Sequence, residues 1–241
     1  EYPPAFEGYT LALRVGEIAH DSETRIRALE GLGNVERFRG RPTEALPWLE
    51  RAMHEGQGAG DGAAEGRILG GIGVARRMLG EYTASLEIFQ RQLAAFERLG
   101  DAEWQARAQF NIGTVLGVMG RCEEAIPHLE LSRQASEAAG KLPAAVNDYN
   151  NLGLCHLALG DYSAALAAFG RCLEIAGASG SRSELAPPLL NIGVVYRAQG
   201  APLRALDSYR RSYAISSEQG AKQFMTDSLE SQGAVLMELG R

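Results

Sequence analysis

The chain has 241 residues, 45% of them hydrophobic, and a formal charge of −6 at pH 7. That charge argues against nucleic acid as the main partner, and no apolar run approaches the roughly 18 residues that a membrane-spanning helix requires. Cys122, Cys155 and Cys172 are the only cysteines and form no CxxC pair, which argues against a disulfide framework or zinc ribbon and for a reducing, cytoplasmic setting.

The first predicted helix covers residues 5–20, with Ala5, Phe6, Tyr9, Ala12 and Leu13 on one stripe at helical spacing. Pro3 and Pro4 precede it, as suits the start of a helix. From residue 21 the sequence repeats itself. Gly33, Gly73, Gly113, Gly153, Gly193 and Gly233 lie 40 residues apart, and Gly40, Gly80, Gly120, Gly160, Gly200 and Gly240 keep step with them. Self-similarity at a period of about 20–50 residues marks a stacked-repeat protein. The units fall at 21–60, 61–100, 101–140, 141–180 and 181–220, and residues 221–241 supply one more first half.

The first half of each unit predicts a helix A ending near the Gly40 series, where glycine suits a left-handed cap. The second half predicts a helix B. Its small residues are Ala45, Ser85, Ala125, Ala165 and Ala205, and four residues on come Leu49, Phe89, Leu129, Phe169 and Tyr209. Without a Cβ at Gly33 and its equivalents, the backbone of helix B is expected to approach closely at Ala45 and its equivalents. A mid-helix glycine costs about 1 kcal/mol in propensity, so its recurrence implies that packing recovers the loss.

Pro47 and Pro127 are expected in the first turn of helix B, where a missing amide proton loses no intrahelical bond. Pro143 is expected in the connection before a helix A, and Pro187 and Pro188 near the start of another. The Gly, Ala and Asp cluster at 56–64 predicts an inter-helix loop. The whole stretch Gly56–Gly66 reads as a linker, since a nucleotide loop would need a preceding strand and a lysine. No strand pattern appears, so the expected fold class is all-α.

These residues resemble tetratricopeptide repeats. Leu29, Leu32-Gly33, Ala45, Leu49 and Ala52 occupy that family's places, and Asn151-Leu152-Gly153 with Gly160-Asp161-Tyr162 and Ala165 is among the closest copies. The usual repeat is about 34 residues; the longer form here is similar to that of kinesin light chains, cell-polarity adaptors and the sensor arms of bacterial signalling ATPases. The resemblance implies a right-handed α-α superhelix, a solenoid of about five and a half to six helical hairpins. It would run as a single array through residues 1–241, with 1–20 as helix B of a preceding repeat and 221–241 as helix A of a further one.

The resemblance also implies that helix A lines the concave surface. Relative to Gly33, positions six and two before and four after should then face inward. The first column gives Arg27, Arg67, Arg107 and Asn147; the second gives Asn111, Asn151 and Asn191; the third gives Arg37, Arg77 and Arg197. Asn carries a donor and an acceptor suited to an extended peptide backbone, and Arg presents a planar fork to carboxylate or phosphate. Two plainer roles stand beside these: Asn bonding across to the next repeat, and Arg on a solvated face.

Enzymatic signals are absent. There is no GxxxxGK[ST], HExxH or GxSxG, and no cofactor or metal is expected. Cys155-His156 with Cys172 is the one pairing worth testing, and a small buried hydrophobe is the expected role of both cysteines. Lys141 and Lys222 are the only lysines among 24 basic residues, a bias typical of a GC-rich bacterial coding sequence. The chain opens without Met, and neither end carries a dedicated polar cap. We therefore expect an excised or interior stretch of a longer array, or ends that self-associate.

The expected function is a non-catalytic protein–protein interaction scaffold whose groove binds a peptide or protein segment, acidic or carboxylate-bearing. The alternatives are a ligand-sensing arm of a bacterial signalling ATPase or transcription regulator, and a self-associating structural module.

Overall fold

The computed structural model describes residues 2–56, 61–180 and 182–240. They form two compact units, residues 1–119 and 120–241. The first contains α1 (Tyr2–Ile18), α2 (Ser22–Phe38), α3 (Pro42–Gly56), α4 (Gly62–Met78), α5 (Tyr82–Leu99) and α6 (Ala102–Val118). The second contains α7 (Cys122–Ala138), α8 (Leu142–Ala158), α9 (Tyr162–Ser179), a 3-10 turn at Arg182–Leu185, α10 (Ala186–Ala198), α11 (Pro202–Gln219) and α12 (Lys222–Glu238). Among the described residues there is no strand, and within each unit every helix packs on the next. The fold is all-α, built from stacked tetratricopeptide-type hairpins, with the even-numbered helices in the A role and the odd-numbered ones in the B role.

Helix boundaries follow from local chemistry. Asp21, Asp61 and Asp101 stand 40 residues apart and cap α2, α4 and α6, their side chains accepting from amides of the first turn. Such a cap is worth about 1 kcal/mol. The A helices end at the expected glycines, for example Gly40 and Gly160, whose φ values of 75° and 79° lie in the left-handed region.

Three expectations about boundaries need correction. Pro47 and Pro127 lie inside α3 and α7, beyond the first turn, because these helices begin a turn earlier at Pro42 and Cys122. The carbonyls of Thr43 and Glu123 therefore lose their usual intrahelical donors. Pro143 belongs to α8 itself, within its first two positions, where proline needs no donor. Of the stretch read as a linker, residues 57–60 lie outside the described residues. The part from Gly62 to Gly66 is the first turn of α4, nucleated by the Asp61 cap, and Gly66 is buried.

The core confirms the glycine register and refines its reason. A Cβ at Gly33 would lie 2.5 Å from Leu49 Cγ, at Gly73 2.5 Å from Phe89 Cε1, at Gly153 2.6 Å from Phe169 Cε1 and at Gly193 2.4 Å from Tyr209 Cε1. The space is filled mainly by the large side chain of helix B, with the Ala45 carbonyl a further contact at 3.2 Å from Gly33. Leu49, Phe89, Phe169 and Tyr209 are all buried.

A second column, unread in the sequence, ties each B helix to its A helix through a polar bond. Gln92 Nε2 donates to the Gly66 carbonyl at 3.1 Å, Cys172 Sγ to Val146 at 3.4 Å and Ser212 Oγ to Ala186 at 2.9 Å. The donors are 40 residues apart, and so are Val146 and Ala186. Carbonyls near the start of helix A thus gain a buried second partner.

Candidate functional site

In the first unit, α2 touches α4 and α4 touches α6, so their A faces lie side by side. Arg27 is exposed and pairs with Glu23 at 2.6 Å, one turn earlier on α2. Arg67 reaches Glu30 at 3.5 Å. Burial raises the Glu30 carboxyl above its usual range, and the Arg67 charge opposes that shift. Arg27 and Arg67 line a cleft of about 250 Å³ together with Ser22, Glu23, Ile26, Asp61 and Ala64. Acidic side chains therefore balance the charge at that end of the face.

The remaining arginines differ. Arg37 is half-buried; its Nε and Nη2 donate to Asn34 Oδ1 at 3.4 and 3.3 Å, and its guanidinium lies 4.2 Å from the Phe38 ring centroid. Arg107 sits 5.0 Å from the centroid of Trp104, which stacks on Phe96 at 5.2 Å. Burial lowers the Arg37 pKa from its usual value, and the positive charges of Arg107 and Arg77 lower it further. Arg37, Arg77 and Arg107 are therefore electrostatic neighbours. Among the described residues, none of the three forms an ion pair with a carboxylate.

The Asn column is engaged with protein. At its register in the first two repeats, Gly31 and Gly71 pack under Tyr9 and Leu49 of the preceding B helix. Asn111 Nδ2 donates to Gln92 Oε1 at 3.5 Å, so the buried Gln92 bridges α4 and α6. In the second unit Asn191 Nδ2 donates to Asn150 Oδ1 at 2.9 Å, joining α10 to α8. Asn151 is half-buried and Asn147 exposed. Arg197 pairs with Glu238 of α12 at 2.9 Å. Bonds of this kind hold neighbouring repeats, one of the two roles weighed for the column.

Sequence reasoning missed Asn34, Phe38, Trp104, Gln92 and Asn150, which orient the predicted residues. The 40-residue polar column at Gln92, Ser132, Cys172 and Ser212 was a readable signal; the aromatic supports were not, because they recur in no other repeat.

The cysteine pairing resolves differently from its expectation. The Cys155 thiol lies against Cys122, and burial pushes it up to about 12. Cys172 is also pushed up to about 12 by burial, and its thiol takes part in the polar column. It thus acts as a hydrogen-bond donor as well as a small buried side chain. His156 Nδ1 faces Asp161 at 3.9 Å. Also on α8, Asp148 is buried with Ser136 Oγ donating to its Oδ2 at 3.3 Å, while Oδ1 has no partner. Burial pushes its carboxyl up to about 6, against the hydrogen bonds of Ser132 and Ser136 and the charge of Arg133.

Among the described residues no helix is long and apolar enough to cross a membrane. No curated protein matches the chain. Solved structures with the same fold include BtubC (BKLC) from P. vanneervenii, 17% identical with a TM-score of 0.78 over 91% of this chain and 92% of that one. A kinesin light chain-type protein with nearly identical repeats from Podosopora anserina is 15% identical, with a TM-score of 0.68 over 81% and 96%. A Rap protein complexed with Competence and Sporulation Factor is 14% identical, with a TM-score of 0.70 over 99% and 71%. The family model of the tetratricopeptide repeat matches residues 65–138, 111–178 and 146–218. With the glycine register, the paired helices and this match in agreement, the chain belongs to the tetratricopeptide-repeat family.

Proposed function

We propose that the chain is a non-catalytic interaction module whose A-helix faces receive an extended peptide or protein segment with acidic or carboxylate groups. In the first unit the contacts would come from Arg27, Arg37, Arg67, Arg77, Arg107 and Asn111, and in the second from Asn147, Asn151, Asn191 and Arg197. The observation that carries this reading is the gathering of Arg37, Arg77 and Arg107 on adjacent A helices without carboxylate partners. Unneutralised guanidiniums on one face are an electrostatic match for an anionic ligand and steer its approach. Three free, buried thiols favour a reducing, cytoplasmic setting.

The fold it shares with the Rap protein bound to Competence and Sporulation Factor supports a second reading, a ligand-sensing arm that regulates another domain. Both readings require a ligand on the A faces. Selection from a displayed random-peptide library should enrich acidic sequences. Their binding should be lost in the Arg67→Ala/Arg77→Ala/Arg107→Ala variant while its melting temperature holds. Enriched peptides that bind this variant as well as the parent would overturn the assignment to these faces.

A further inference from the structure

The charge and geometry of the first unit specify the ligand more narrowly than an acidic segment. Arg37 and Arg77 occupy the same register on adjacent helices α2 and α4, and Arg107 comes from α6, which touches α4. Two of the three are held by aromatic rings: Arg37 at 4.2 Å from the Phe38 centroid and Arg107 at 5.0 Å from the Trp104 centroid. The Trp104 ring is itself fixed by stacking on Phe96 at 5.2 Å. Asn34 takes two donors of Arg37 and orients its fork, leaving Nη1 to face a ligand. Guanidiniums held this way lose little side-chain freedom when they bind.

The other arginines of this face do not share this arrangement, since Arg27 and Arg67 already have Glu23 and Glu30. A single carboxylate brings one negative charge and two oxygens, too little to neutralise three guanidiniums. A phosphorylated side chain brings a charge of about −1.5 to −2 at pH 7 and three acceptor oxygens, each able to meet one fork. Resting on the peptide reading above, we propose that Arg37, Arg77 and Arg107 together receive one phosphoryl group carried on the bound polypeptide.

The test has two arms on the full chain. In the first, inorganic phosphate and acetate are titrated at constant ionic strength and followed by calorimetry. Phosphate should bind at least tenfold more tightly than acetate. Arg77→Gln and Arg107→Gln should each weaken phosphate by tenfold or more, while Arg27→Gln leaves it unchanged. Arg37→Lys, which keeps charge but loses the fork, should weaken it as well, and circular dichroism melts confirm that the variants fold. Equal affinity for phosphate and acetate, or phosphate binding untouched by Arg77→Gln and Arg107→Gln, overturns the proposal.

In the second arm, degenerate peptides carrying phosphoserine, Glu or Ser at one fixed position are passed over immobilised chain. Retention should favour phosphoserine over Glu by at least tenfold, with Ser weaker still. Equal retention of the Glu and phosphoserine sets overturns the phosphoryl assignment and leaves the acidic-peptide reading standing. If none of the three sets is retained, that reading fails too. Phosphate binding without retention of phosphopeptides overturns the polypeptide source.

Discussion

Replacing Gly153 with valine should destabilise residues 120–241 by about 3 kcal/mol, the upper part of the usual range for overpacking. A Cβ at this position would stand 2.6 Å from Phe169 Cε1 and 2.7 Å from Cζ. The Phe169 ring is fully buried, so it cannot swing into solvent to make room. Denaturant unfolding of Gly153→Val beside Gly153→Val/Phe169→Ala separates the clash from other effects. Truncating the ring opens the space valine needs, so the double variant should lose less than the sum of the two single losses. Gly233 supplies the contrast, since nothing lies within 4 Å of its would-be Cβ. Gly233→Ala should be neutral, or stabilising by up to about 1 kcal/mol through helix propensity alone. Unchanged stability of Gly153→Val would show that the register glycines are not there for packing.

The second large effect concerns Asp148. Its folded carboxyl titrates at about 6 against an ordinary 3.8, so the folded state holds the proton more tightly than the unfolded one. Stability from this group is therefore complete at low pH and is lost as pH rises through the folded value. The shift is about two pH units, or on the order of 3 kcal/mol. Asp148→Asn keeps the shape and removes the charge, so it should raise stability near neutral pH by about 2–3 kcal/mol. It should also remove the fall in stability between about pH 4 and 6. Chemical denaturation across that window checks both. An Asn variant no more stable than the parent at neutral pH would mean that the buried charge is fully compensated.

The glycine register was legible because close approach leaves a single residue type, and the constraint recurs with each repeat. Helix starts were harder to read. Pro47 and Pro127 suggested a first turn, but the B helices begin earlier and carry these prolines in their interiors. Local rules put proline where it does no harm, whereas tertiary packing decides whether an interior proline is tolerated. Within the candidate site, column counting identified residues on a face but not their partners. The Arg27–Glu23 pair follows from one-turn spacing, while Arg67–Glu30 and Asn191–Asn150 join different helices and depend on how repeats stack. The aromatic floors under Arg37 and Arg107 belong to single repeats, so no periodic signal announces them.

The three cysteines have a practical consequence. Cys122, Cys155 and Cys172 all lie in residues 120–241 and are buried, and a protonated thiol is a poor nucleophile. An alkylating reagent must therefore wait until the surrounding helices part, and its rate becomes a stopwatch for that opening. The residues of 1–119 contain no thiol and stay silent. One native chain thus carries a reporter for the breathing of its C-terminal half alone, ready to record whether a ligand bound at the arginines of the first unit slows it.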